Sequence, residues 1–231
     1  MMRTVLIWRG PMTAFLLPVA GPESAFPPPA AVAATGEAAV RAAALDAAAR
    51  LFVERGLERV GLADIAAAAG LEPRALRACY ASREHVLLAL QERFVRDFCQ
   101  RAAQAMDASR EGDWSGRLRA WVRTGVDGYL DNVALHDVVF HDLRTHDRHA
   151  WQDNPVVDQL VELLEGGIAA RVWAAPDPRM TALIFFTALH SAVDRVIVCG
   201  EPQDDPVQVR HRLAQTLIGY FERSVQWWSR F

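Results

Sequence analysis

Apolar residues recur every three or four positions along most of the chain, which is the spacing of one face of an α-helix. In the first half, this pattern predicts helices that cover residues 37–55, 62–69, 73–80 and 82–108. Gly70 ends the second of them, because a residue without a Cβ lets the chain reverse tightly between two packed helices. Pro73 suits the first turn of the third helix, and Ser82 is a typical cap for the fourth.

The second half continues in the same way, with predicted helices at residues 114–134, 135–145, 155–173, 179–198 and 206–228. The segment 179–198 is apolar nearly all round, which predicts burial both by helices of its own chain and by a partner. The last helix carries a second apolar stripe formed by Val209, Leu213, Leu217, Phe221 and Val225. No strand-like alternation and no fixed-period repeat interrupts the pattern, so the expected fold class is all-α.

Residues 1–36 differ from the rest of the chain. Their short apolar stretches are broken by prolines and precede a Pro/Ala-rich tract at residues 27–31. We expect a disordered arm, or a start codon assigned too early, with Met12 as one alternative start. A signal peptide is a further reading, although the apolar stretch is short and no good cleavage site follows it.

Composition limits the partners of the protein. A net charge of −3 over 231 residues argues against a chain coated in positive charge, but it leaves room for one basic face. The stretch 70–83 is such a place, with three arginines against Glu72. Three cysteines are too few for a disulfide framework, which favours a reducing cytoplasm. Because His190, Asp194 and Arg195 interrupt the most apolar segment, no membrane span is expected.

The second and third predicted helices, joined through Gly70, have the form of a helix-turn-helix that inserts its second helix into the DNA major groove. Its small core would consist of Ile65, Leu71, Leu76 and Tyr80. Arginines reach phosphates or guanine edges, and small residues permit close approach to the groove. The expected DNA-binding residues are Arg74, Ala75, Arg77 and Ala78 on the third helix, Arg83 in the first turn of the fourth, and Arg41 on the first.

Two stretches of this region resemble the TetR family of transcriptional repressors. Residues 44–56 (ALDAAARLFVERG) are similar to the first helix of that family, and residues 64–71 (DIAAAAGL) to its helix-turn segment. Further family landmarks fall on Leu76, Tyr80, Ser82, Arg83 and Glu84. The chain departs from the family at Glu72, where Ser or Thr is usual, at Arg77, where a phosphate-contacting Tyr is usual, and at Cys79, where His is frequent.

The resemblance implies a three-helix DNA-binding domain at residues 37–82 and, at 83–231, a helical domain for ligand binding and dimerisation that begins with a long connecting helix. It also implies a homodimer, formed through the last two helices, that binds a palindromic operator and releases it when a small-molecule effector binds. No cofactor is expected. The candidate ligand-binding residues are Trp121, Tyr129, Phe140, Trp151 and Phe186 as an apolar lining, with His141, His190 and Asp194 as polar anchors.

Two alternatives remain open. One is an all-α metal-dependent enzyme that uses the His/Asp-rich segment 136–149, although His-Glu-x-x-His, a nucleophile elbow, a Walker loop and a Rossmann glycine pattern are all absent from the sequence. The other is a dimeric helical protein that has kept the fold but lost its affinity for DNA. A transcriptional regulator without enzymatic activity is the leading prediction.

Overall fold

The computed structural model describes residues 31–141, 154–200 and 205–226, and helices joined by short connections make up most of this part of the chain. Within the described ranges there is no β-strand, only an isolated bridge between Trp173 and Gln226. The all-α fold class is therefore confirmed. The described residues form two compact units, the first containing residues 31–85 with 137–141 and 154, and the second containing 86–136, 155–200 and 205–226.

The first unit contains α1 (Ala31–Arg55), a single 3-10 turn (Leu57–Arg59), α2 (Leu62–Ala69) and α3 (Pro73–Cys79). Glycine ends α1, because Gly56 adopts a left-handed φ of 80° that other residues rarely take up. The backbone N–H of Gly61 donates to the Asp64 carboxylate at 2.8 Å, which fixes the beginning of α2. Three of the four helices predicted in this half of the chain lie here.

The core of the first unit is made where α1 packs against α2 and α3. Phe52, Ile65 and Leu76 are each fully buried, and alanines along α1 allow the other two helices to approach closely. Helix α1 begins at Ala31, earlier than the boundary at residue 37 that the apolar pattern suggested. The reason is intrinsic preference: the alanine-rich stretch before Gly36 favours helix even where it carries no apolar stripe.

Helix α4 (Arg83–Asp107) starts in the first unit and continues into the second, so residues of both units belong to one continuous helix. The second unit also contains α5 (Trp114–Leu130), α6 (Val133–His136), α7 (Pro155–Ala169), α8 (Pro178–Cys199) and α9 (Pro206–Val225). A π-helical turn (Asp137–His141) follows α6 directly. Helix α5 packs against α7, α8 and α9, and α7 packs against α8.

Aspartates cap three of these helices, because a carboxylate accepts the backbone N–H groups that a first turn leaves free. Asp113 accepts from Gly116 at 2.7 Å, Asp177 from Met180 at 2.9 Å, and Asp205 from Val207 at 3.0 Å. In α8 and α9 a proline follows the cap directly.

Several helices end earlier than the pattern suggested. Helix α5 ends at Leu130 rather than residue 134, where the Asn132 side chain donates to the Gly128 carbonyl at 2.8 Å. Helix α7 ends at Ala169 rather than residue 173, because Arg171 turns into the left-handed region with φ 58° and Trp173 folds back over Gly167. Helix α9 ends at Val225, and the N–H of Ala174 donates to its carbonyl at 2.8 Å.

The apolar stripe of α9 is used inside the second unit. Leu217, Phe221 and Val225 are buried, and the ring of Phe221 stacks on that of Phe185 with centroids 4.0 Å apart. By length and composition, α8 could cross a membrane, a test that a core helix of a soluble protein also passes. Phe185 and Phe186 on α8 are buried within the unit, whereas Met180, Ile184 and Val198 on the same helix are exposed.

Candidate nucleic-acid interface and effector site

The turn between α2 and α3 has the geometry of a helix-turn-helix. Gly70 caps α2 in the left-handed region with φ 65°, and its N–H donates to the Ala67 carbonyl at 3.2 Å. The N–H of Leu71 donates to the Ala66 carbonyl at 2.9 Å, which satisfies a second carbonyl at the helix end. After this turn, Pro73 starts α3 as the sequence predicted.

One side of helix α3 packs into the core of the first unit, and the other side is exposed to solvent. Leu76 within the helix and Tyr80 directly after it are buried, and Ala75 is half-buried. Arg74, Arg77 and Ala78 are exposed, so the two arginines expected to contact DNA stand on the free side of the short helix. The exposed Glu72 precedes them at the start of the helix, where its carboxylate adds negative charge to the same end.

Arg41 and Arg83 are held by contacts within the first unit. Arg41 pairs with Glu37 at 2.8 Å, donates to the Cys79 carbonyl at 3.4 Å, and lies over the Tyr80 ring. Arg83 donates to the Leu57 carbonyl at 3.2 Å and pairs with Glu84 at 3.1 Å and with Glu58 at 3.7 Å. Arg41 and Arg83 are the two predicted DNA-binding arginines that lie outside α3. Their contacts connect neighbouring helices and turns of the first unit.

Local charge and burial shift three pKa values here. The hydrogen bond between Ser82 and Glu84 lowers the pKa of the Glu84 carboxyl, helped by its own backbone N–H and by Arg83. Burial raises the pKa of the Cys79 thiol, which keeps the thiol in its neutral form. The hydrogen bond to Glu37 raises the pKa of Arg41.

The second unit brings four of the predicted ligand-binding residues together. The Tyr129 hydroxyl on α5 donates to the Asp194 carboxylate on α8 at 2.5 Å. The ring of His190 lies 5.5 Å from that of Tyr129 and 4.3 Å from that of Phe186. Tyr129 and Phe186 are buried, whereas His190 and Asp194 are half-buried, so these last two residues lie at the accessible side of the group.

His136 completes this group, which we call the Tyr129 cluster (Tyr129, His136, Phe186, His190 and Asp194). The His136 ring lies 3.8 Å from that of Tyr129 and 5.9 Å from that of His190. His136 is only 1% exposed. In the sequence, His136 stands out only as one histidine of the His/Asp-rich segment 136–149, because nothing in its local pattern indicates that it packs beside Tyr129.

Trp121 lies two turns before Tyr129 on α5 and is buried against Phe98 of α4, with ring centroids 5.9 Å apart. Phe94, one turn before Phe98, reaches His136 at 5.8 Å. The i, i+4 spacing of these two phenylalanines is the signal that places both on one side of α4. Helix α4 thus supplies two aromatic residues to the surroundings of the cluster.

The remaining predicted ligand-binding residues are only partly described. Phe140 is buried in the π-helical turn after α6. Trp151 lies outside the described residues, as does the side chain of His141. Of the candidates, the structure therefore joins Tyr129, Phe186, His190 and Asp194 directly.

The Tyr129 cluster offers hydrogen-bonding groups rather than a metal site. His190 Nδ1 lies 2.8 Å from the Phe186 carbonyl, so in a neutral ring Nδ1 carries the proton and Nε2 is an acceptor. Among the described residues, no three His, Cys, Asp or Glu side chains are grouped so as to hold a metal ion. His146 and His149 of the His/Asp-rich segment lie outside the described residues.

Comparison with known proteins shows which class of protein the chain is similar to. Residues 44–90 match the family model described as bacterial regulatory proteins, tetR family, and this range contains the C-terminal part of α1, all of α2 and α3, and the start of α4. The fatty acid degradation regulator FadR from Bacillus halodurans has the same fold, with 20% identity, coverage of 78% of this chain and 95% of that one, and a TM-score of 0.64.

SmeT, the repressor of the Stenotrophomonas maltophilia multidrug efflux pump SmeDEF, also shares the fold, with 20% identity, coverage of 83% and 92%, and a TM-score of 0.62. A complex of SmeT with triclosan gives 18% identity, 84% and 94% coverage, and a TM-score of 0.61. No curated protein matches the chain. Residues 44–90 thus match the tetR family model, and the chain shares its fold with these solved regulators over most of its length.

Proposed function

We propose that the chain is a transcriptional repressor that binds a two-fold symmetric DNA operator as a homodimer and releases it when a small molecule binds to the second unit. It acts in the cytoplasm, where the chromosome is accessible, and it catalyses no reaction. The observation that carries the proposal is the exposure of Arg74 and Arg77 on the free side of α3, inside the segment that matches the family model.

DNA binding follows from the charge and position of these two side chains. Each guanidinium is exposed on a helix that is held from behind by Leu76, and a short helix presented in this way fits the major groove. Arginine donates two parallel hydrogen bonds to guanine or to phosphate. Glu72 opposes this attraction near the start of α3, so affinity is expected to depend strongly on the two arginines.

Dimerisation is supported by apolar residues that the chain leaves uncovered on α8. Met180, Ile184 and Val198 are 52%, 56% and 80% exposed, and their spacing places them on one face of the helix. On α9, Val207 and Tyr220 are 72% and 65% exposed. Such residues on the last two helices suit a second copy of the chain, and a two-fold dimer would place two α3 helices roughly 34 Å apart, one turn of DNA.

Effector binding is assigned to the Tyr129 cluster and its aromatic neighbours. An aromatic surface with a few polar groups is typical of a site for small organic molecules. SmeT binds triclosan, which makes triclosan a reasonable first probe. Because α4 is continuous from Arg83 to Asp107 and supplies Phe94 and Phe98 beside the cluster, it is the element expected to transmit a shift toward the helix-turn-helix.

The test is a pair of titrations. Binding of a duplex from the region upstream of the chain's own gene is measured by fluorescence anisotropy, with and without triclosan and a panel of aromatic compounds. An effector should weaken operator binding by roughly 5- to 150-fold, and by linkage the operator should weaken effector binding by the same factor. Compounds that bind with equal affinity in the presence and absence of operator would contradict the release mechanism.

A further inference from the structure

Arg41 lies at the C-terminal end of α3, although it belongs to α1. Its Nη1 group donates to the carbonyl of Cys79, the last residue of α3, at 3.4 Å. Its guanidinium carbon lies 5.3 Å from the centroid of the Tyr80 ring, and its Nε and Nη2 groups bind Glu37 at 2.9 and 2.8 Å. One side chain thus contacts both residues where α3 ends.

The short length of helix α3 makes its stability depend on contacts of this kind. At seven residues it is far shorter than a helix that is stable by itself in water. The last carbonyls of a helix lack partners and carry partial negative charge, which a guanidinium offsets. Tyr80 is 4% exposed, and a cation over its ring adds a second attraction at the same end of the helix.

The surroundings of Arg41 make it a poor phosphate ligand. Glu37 neutralises it through an ion pair on the same helix, so the pair presents no net charge to DNA. Arg41 is exposed, as Arg74 and Arg77 are, so the ion pair with Glu37 is what distinguishes it from the two arginines of α3. Affinity for DNA depends on releasing counterions from neutralised phosphates, and a side chain that is already neutralised contributes little to that release.

We infer that Arg41 is a positioning residue that fixes the C-terminal end of α3 against α1, and that it is not a phosphate contact. This inference rests on the proposed DNA-binding function and assigns a different role to one of the residues that the sequence suggested as DNA contacts. Fixing α3 at its end keeps Arg74 and Arg77 in the orientation that base contacts require.

The experiment compares three single variants of the full-length chain: Arg41→Gln, Arg77→Gln, and Arg50→Gln as the control. Arg50 is an exposed arginine on the same helix as Arg41. The probe is the DNA duplex that the wild-type chain enriches from a random-sequence library. The affinity of each variant for this duplex is measured between about 50 and 200 mM salt, which gives the slope of log affinity against log salt concentration. Hydrogen exchange of the α3 amides is measured on the free protein.

For Arg41→Gln, we expect faster exchange at α3 and an affinity reduced by roughly 3- to 30-fold, with the salt slope unchanged. Arg77→Gln should lower the slope by about one and leave α3 exchange as it was. Arg50→Gln should change neither quantity, and Arg41→Lys, which keeps the charge but loses the planar group, should fall between wild type and Arg41→Gln.

A slope lowered by Arg41→Gln as much as by Arg77→Gln would overturn the inference, and so would unchanged exchange at α3. If the wild-type chain enriches no duplex, the proposed function fails instead. The exchange measurement on the free protein still decides whether Arg41 holds α3 in place.

Discussion

Replacing Gly167 by alanine should destabilise the second unit, because no space exists there for a methyl group. A Cβ at this position would lie 2.1 Å from Cε3 and 2.7 Å from Cδ2 of Trp173. Trp173 is 2% exposed and packs edge-on against Trp114, with ring centroids 6.4 Å apart. The indole would have to move by roughly 1.5 Å to reach an ordinary contact distance, and it has no exposed direction in which to move.

The size of the effect follows from two opposing contributions. Overpacking a core costs about 1–3 kcal/mol, and a contact this short belongs at the upper end. Alanine is preferred over glycine in a helix by about 1 kcal/mol, which offsets part of that cost. We therefore expect Gly167→Ala to lower the free energy of unfolding by about 2 kcal/mol.

Gly128 on α5 provides a matched control. A Cβ there would lie 3.8 Å from Arg101 Nη2 and 3.9 Å from Phe98 Cδ2, both ordinary contacts. Gly128→Ala should therefore stabilise the protein by up to about 1 kcal/mol. Urea unfolding followed by circular dichroism and by tryptophan fluorescence gives both values. A Gly167→Ala protein that is as stable as Gly128→Ala would refute this description of the packing.

Four further predictions concern charge, assembly, thiol chemistry and the effector. Glu72→Ser should tighten binding to random-sequence DNA by removing a negative charge near phosphate, and unchanged or weaker binding would exclude that role. Ile184→Glu should give a monomer by analytical ultracentrifugation where the wild-type chain is a dimer, whereas a dimer of the variant would place the interface elsewhere. Burial raises the pKa of Cys99 to about 11, so its thiol should stay unmodified by iodoacetamide at a pH of about 8, while the exposed Cys199 reacts. Peptide mass spectrometry measures both rates, and equal rates would contradict this expectation. Phe186→Trp should change the effector concentration that releases the operator without changing affinity for the operator alone, and loss of both would indicate damage to the fold.

The fold was largely predictable because local signals in this chain agree with its tertiary structure. Gly70 takes the left-handed conformation that its position at the end of α2 suggested. Pro73 occupies the first turn of α3, as expected. Helix ends set by distant contacts were not predictable, and the early end of α7, where Trp173 covers Gly167, is the clearest case.

In the candidate sites, too, features set by local spacing were predictable, whereas those set by distant contacts were not. The exposure of Arg74 and Arg77 follows from helical spacing against the buried Leu76, so the sequence was sufficient. The backbone carbonyls to which Arg41 and Arg83 donate lie 38 and 26 residues away, beyond the range of any local pattern. The place of His136 was not predictable for the same reason, since only the packing of α5, α6 and α8 brings its ring beside Tyr129 and His190.

The most direct test of the central claim is to sequence the chromosomal DNA that the purified chain retains and to repeat the capture with an Arg74→Gln/Arg77→Gln variant. Our account predicts that the wild-type chain enriches a two-fold symmetric sequence whose half-sites are about 10 base pairs apart, centre to centre. The variant should lose this enrichment although it keeps the wild-type fold by circular dichroism. Capture without any enriched sequence, or equal enrichment by both proteins, would contradict DNA recognition through α3.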